Sequence, residues 1–283
     1  MSSSEKITSS KVGLIANIFL FIIKTYFGLL SGSLALLSDA VNSFTDILAS
    51  IGIYLAVKEG EKKRDIDHPF GHYAAEPISA FVVSILAAIL SFEIFRSAVE
   101  SLLYQKPLNI SIFTVAVVLL TIIIKFSLYL YFKNVNKKSP GQSVEAYMMD
   151  SMNDVITAIV VLIGVVGAYF GYEILDDVVA IAISIYILRN ALHLGKKNIY
   201  FLMGGSPSNH IIEDIKKAVL KNKKVKQVQV NAHYFGDTLH VDLVINVDKK
   251  LTIVKAHEIA EEVKKDLESF EIISYIQVHV EPD

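Results

Sequence analysis

The sequence predicts a membrane protein of six transmembrane α-helices followed by a smaller C-terminal α+β domain of order α-β-β-α-β. Three observations carry that prediction. Of the 283 residues, 53% are hydrophobic, and the mean hydropathy of +0.47 is high for a soluble globular chain of this length. The apolar residues gather into six stretches, each near or above the length that crosses a hydrocarbon core. From Ser206 onward the chain becomes rich in Lys, Glu, Asp and His. Residues 1–205 are therefore expected in the bilayer and residues 206–283 in water.

The first stretch, residues 12–30, follows a polar start. Ser31-Gly32-Ser33 would also suit a signal-peptide cleavage site. Against that, the run is long for an h-region, the charge ahead of it is weak, and a second apolar segment begins almost at once. Further spans are expected at 34–57, 78–103, 110–132, 144–170 and 174–194, of which the second and fifth are the most polar. Short turns at Ser31-Gly32-Ser33, Gln105-Lys106-Pro107 and Gly171-Tyr172 alternate with longer polar loops at 58–73 and 133–143.

Basic residues decide the orientation. Lys6, Lys11, Lys58, Lys62, Lys63, Arg64, Lys133, Lys137, Lys138, Lys196 and Lys197 fall on one side, and only Lys106 lies in a loop on the other. Both termini are thus expected in the cytoplasm, with the protein in the cell inner (plasma) membrane. The water-soluble part reads as a helix at 209–222, a strand at 225–234, a Gly236-Asp237 turn, a strand at 238–247, a helix at 252–269 and a strand at 272–280. So small a core commonly gains stability by pairing with a copy of itself, so a homodimer is expected.

Charged groups inside a span are costly and functional by default. Span 2 carries Asp39, Asn42 and Asp46 at spacings of three and four, which stacks them on one helix face with Ser43 beside them. Span 5 repeats the device with Asp150 and Asp154, and with Asn153 adjacent. Two helices that each offer an i, i+4 pair of oxygen ligands close a four-point cage around one cation if those faces meet. The competing reading makes these carboxylates helix-end groups or ion-pair partners of the embedded Lys24 and Lys125, and it weighs most for Asp39. There is no Cys, so a thiolate site is excluded and the donors must be oxygen and imidazole.

The run from Ser33 to Asp46, SLALLSDAVNSFTD, and the run from Ala146 to Asp154, AYMMDSMND, resemble the second-span and fifth-span signatures of the cation diffusion facilitator family. The resemblance extends over nearly the whole chain. It implies six spans, a ferredoxin-like, metallochaperone-like cytoplasmic domain, and transport-site ligands at Asn42, Asp46, Asp150 and Asp154, beside which Asp39 is a candidate accessory residue. Zinc carriers of the family typically have His where this chain has Asp150. The loop after span 2 holds Asp65, His68 and His72, matching a loop that binds a second ion in some members, although His68 and Glu76 could equally just shape the loop. Relatives often carry Lys at the place of Ala74, so any salt bridge built on it is absent. In the soluble domain His257, His279 and Glu281 match three positions of a two-metal cluster, but Val244 and Val228-Gln229 stand where further His are expected, and His233 and His240 lie off that pattern. Only weak binding is expected there.

These readings converge on a carrier of divalent metal ions rather than an enzyme, with no nucleic acid or small organic substrate as partner. Asn42 is neutral, so the cage gathers three carboxylates, which need compensating positive charge in a low-dielectric interior. Protons supply it when the site is empty, a divalent ion displaces them, and exposure of the site to each side in turn gives proton/metal exchange. Export from the cytoplasm is what the resemblance implies. An all-oxygen donor set favours manganese, then ferrous iron, with zinc as the main alternative. Two rivals remain. An intramembrane aspartyl protease needs an Asp on each of two spans, but there is no Gly-x-Gly-Asp stretch and the acids come in i, i+4 pairs. A cation channel is distinguished only by its flux.

Overall fold

The structure is a computed structural model that describes residues 3–60, 65–104, 106–138, 142–236, 238–270 and 272–283. Lys62, Lys63, Arg64, Gln105 and Asp237 lie outside them. Among the described residues the order is α1 (Ser3–Ser31), α2 (Leu34–Gly60), α3 (Ala75–Tyr104), α4 (Ile112–Lys138), α5 (Gln142–Tyr169), α6 (Ile174–Leu202), α7 (Asn209–Leu220), β1 (Gln227–Phe235), β2 (Thr238–Val247), α8 (Ile253–Leu267) and β3 (Ile273–Pro282). Helices α1–α6 are each long and apolar enough to cross a membrane. They outrun the expected spans at several ends, because helix continues past the apolar run until a turn residue stops it. The chain packs as two units, residues 1–52 with 82–194, and residues 53–81 with 195–283.

In the first unit one buried cluster is made mostly of β-branched residues. Ala35 and Leu36 of α2, Val117 and Val118 of α4, Val161 and Val165 of α5, and Val179, Ile183 and Ile187 of α6 form it. In lipid such close apposition, rather than exclusion of water, holds helices together. Gly28 shows why: a Cβ there would come within 2.7 Å of the Leu37 side chain. Gly32, at φ +73°, turns the chain from α1 into α2 in a conformation that suits glycine.

The polar content of α2 is largely absorbed locally. The hydroxyls of Ser38, Thr45 and Ser50 donate to the carbonyls of Leu34, Val41 and Asp46, one turn earlier. The start of α2 is held from a distance by Asp176 of α6. Its carboxylate accepts from Ser33 Oγ at 2.5 Å and from the backbone amides of Leu34 and Ala35 at 2.7 and 3.1 Å. An anion at a helix N-terminus satisfies orphan donors and favours the helix dipole. Lys24 of α1 and Asp39 of α2, 1% and 2% exposed, pair at 2.8 Å, and Lys24 also donates to Ser43 Oγ at 3.1 Å.

In the second unit β2 is the central strand, antiparallel to β1 and parallel to β3. Leu239, Val241, Leu243, Ile245 and Val247 alternate along it into a core completed by Ile215 and Val219 of α7 and Ile259, Val263 and Leu267 of α8. The period of two sends the intervening residues to the other face. There His240 is buried beneath the rings of Phe235, Tyr275 and Phe70, with centroids 4.7, 5.2 and 5.5 Å away. Phe70 arrives on the loop between α2 and α3. Gly236 lets that loop approach, since a Cβ there would lie 2.0 Å from the Tyr73 carbonyl oxygen.

Candidate metal centre

Helix periodicity sets the site. On α2, Asn42 and Asp46 are one turn apart, as are Asp150 and Asp154 on α5, and the packing of the first unit turns these faces toward each other. One carboxylate oxygen each from Asp46, Asp150 and Asp154 lies within 4.8 Å of the others. Asn42 Nδ2 donates to Asp154 Oδ1 at 2.9 Å, so all four expected side chains meet. They line a cavity of about 140 Å³ together with Thr45, Asn153, Thr157, Tyr186 and Asn190. Asp154 is 6% exposed, Asp150 opens to the cavity, and Asp46 Oδ2 is buried with no hydrogen-bond partner among the described residues. A buried carboxylate oxygen in that state is costly unless a cation or proton completes it.

Asp39 does not join them. Its pairing with Lys24 takes it to the α1 side of α2, which realises the ion-pair reading of that residue. Lys125 realises the ion-pair reading for Asp154, and one further feature, from α6, lay beyond sequence reasoning. Lys125 of α4 donates to Asp154 Oδ2, and its ammonium also reaches Asn17 Oδ1 of α1 at 2.7 Å. Tyr186 and Asn190 enter from α6 at a spacing of four, but without the paired acids that made α2 and α5 conspicuous.

In the second unit, the loop residues Asp65, His68 and His72 form another compact group of donor atoms. Asp65 Oδ1 accepts from the His68 amide at 2.6 Å and lies 3.3 Å from His68 Nδ1, while Asp65 Oδ2 is 3.4 Å from His72 Nε2. The His68 amide above all, with the two imidazoles adding to it, holds the Asp65 carboxyl below its usual range. His257, His279 and Glu281 are not gathered into such a group among the described residues. His279 and Glu281 lie 3.6 Å apart on β3, on the face opposite Val278 and Val280. Those valines share a groove with His257 of α8, so the sheet separates His257 from the other two.

A family model described as the cation efflux transmembrane domain matches residues 10–203, and one for the cation efflux protein cytoplasmic domain matches residues 207–283. The chain belongs to the cation diffusion facilitator family. Among its relatives in that family, the manganese efflux system protein MneS of Bacillus subtilis is 32% identical over 280 residues, covering 96% of this chain and 93% of the relative. The manganese efflux system protein MneP of the same organism is 30% identical, covering 100% and 99%. The uncharacterized transporter MJ0449 of Methanocaldococcus jannaschii is 31% identical, covering 95% and 96%. This cation diffusion facilitator is accordingly an integral membrane protein that exports metal cations, and it is a transporter rather than an enzyme.

Proposed function

We propose that the protein exports manganese in exchange for protons, by alternating access to a single site made of Asn42, Asp46, Asp150 and Asp154. The observation that carries this reading is the convergence of three carboxylates and one amide from two helices on one small cavity. All four donors are oxygen, which suits manganese and, next, ferrous iron better than zinc, although raw affinity favours zinc at most sites. The names of the two Bacillus relatives point the same way. Protons neutralise the carboxylates when the ion leaves, and a change in which side the site faces completes the cycle. The basic loops put both termini in the cytoplasm of a cell whose inner membrane holds the carrier. Asp65, His68 and His72 would hold a second ion on the cytoplasmic side.

Purified protein in sealed vesicles with a trapped pH indicator is expected to take up manganese saturably while protons move the opposite way. Transport of zinc but not manganese overturns the metal assignment, and uptake without proton movement overturns the coupling. Flux that rises without saturation would indicate a channel.

The carrier is further proposed to work as a homodimer joined through residues 206–283, as the small core of that domain favours. The full-length protein in detergent should then sediment as two copies. A monomer at micromolar concentration, with and without manganese, overturns that.

A further inference from the structure

Lys125 is 2% exposed in the middle of a transmembrane helix, where an ammonium group is expensive and is kept only with partners. Among the described residues its hydrogen-bond partners are Asp154, a member of the proposed cage, and Asn17. Both oxygens of Asp154 are therefore occupied by protein donors, Oδ1 by the Asn42 amide and Oδ2 by the Lys125 ammonium. A divalent ion that binds Asp46, Asp150 and Asp154 places a second positive charge beside that ammonium, and at such separations in a poorly screened interior the repulsion is large.

We propose that Lys125 is a tethered competitor of the transported ion: it bridges Asp154 and Asn17 when the site is empty, gives up Asp154 and keeps Asn17 when a divalent ion enters, and returns to Asp154 to expel it. The inference rests on the transport-site reading above. A lysine suits the task because its compact charge sits on a flexible stem, and Asn17 Oδ1 already accepts from it, so the displaced ammonium keeps a partner. Selectivity for charge follows. A monovalent ion gains no more from Asp154 than the ammonium already does, so only a divalent ion displaces it. Weakened binding also serves turnover, since an ion held too firmly does not leave.

The test measures manganese binding alone, by calorimetry at fixed pH on the full-length protein in detergent, with potassium or a bulky organic cation as the background salt. Lys125→Met keeps the apolar stem and removes the charge. It is expected to bind manganese tighter than wild type, on the order of tenfold, the worth of one charge-assisted hydrogen bond. Potassium should weaken binding in Lys125→Met but not in wild type. A lysine that merely braces α4 against α5 predicts the opposite sign, so equal or weaker binding in Lys125→Met overturns the proposal. Should Lys125→Met not fold, Asn17→Leu decides. Loss of the resting place for the ammonium should weaken manganese binding, and equal or tighter binding overturns the proposal. Asp46→Ala run alongside keeps the two readings apart, because manganese binding that survives it removes the transport site itself.

Discussion

Asp46→Ala and Asp154→Ala are both expected to reduce manganese transport in vesicles by on the order of a hundredfold or more, because each removes a proposed ligand of the ion. They should differ in stability. Asp46 has a buried oxygen with no hydrogen-bond partner among the described residues, so its removal relieves a cost in the empty protein and leaves the unfolding temperature in detergent unchanged or raised. Asp154 accepts from Lys125 and Asn42. Its truncation leaves the buried Lys125 ammonium with the neutral Asn17 amide but without its paired carboxylate, and breaking a buried ion pair in this way costs about 3–5 kcal/mol, so Asp154→Ala should unfold at a distinctly lower temperature. The double variant Asp154→Ala with Lys125→Met should recover stability without recovering transport. Transport near wild type in Asp46→Ala would remove the site, whereas equal stability of the two single variants would remove the proposed electrostatic account of it.

Replacement of Asp150 by His is expected to raise zinc transport relative to manganese, on the order of tenfold, because an imidazole is a better ligand for zinc than for manganese. Asp150 is the position to change. It opens to the cavity, so a larger ring enters space already present, whereas Asp154 is locked between Asn42 and Lys125. Competitive uptake of manganese, iron, zinc, cobalt and cadmium by wild type and Asp150→His reads the shift directly. An unchanged preference would mean that Asp150 does not contact the ion.

The cage was legible because its signal is local. Carboxylates at i, i+4 inside an apolar helix share a face by helix geometry, and their cost in lipid marks them as functional. For Asp39 the same reasoning gave more weight to an ion pair than it did for Asp46, without deciding it. Both are acids on one face of α2, and the position of Lys24 on α1 decides that Asp39 is the paired one. Nor could it place His257 relative to His279, since strand alternation and helix position set that distance in three dimensions.

Beside the four residues of the candidate cage, which the family resemblance singled out, the sequence by itself determined six spans, their orientation as an expectation from charge, the order of the soluble elements, and the paired polar residues within spans 2 and 5. These follow from hydrophobic length, from periods of 3.6 and 2, and from the energetic penalty on buried charge, all of which act over a few residues. Only the tertiary structure decided that Lys125 sits on Asp154 with Asn17 behind it, that Asp176 of α6, 142 positions along the chain from Leu34, caps α2, and that Phe70 covers His240 beside Gly236. Each is a contact between elements far apart in the chain. A side chain's own neighbours in sequence carry no record of such a contact, because it exists only once separate apolar faces have packed.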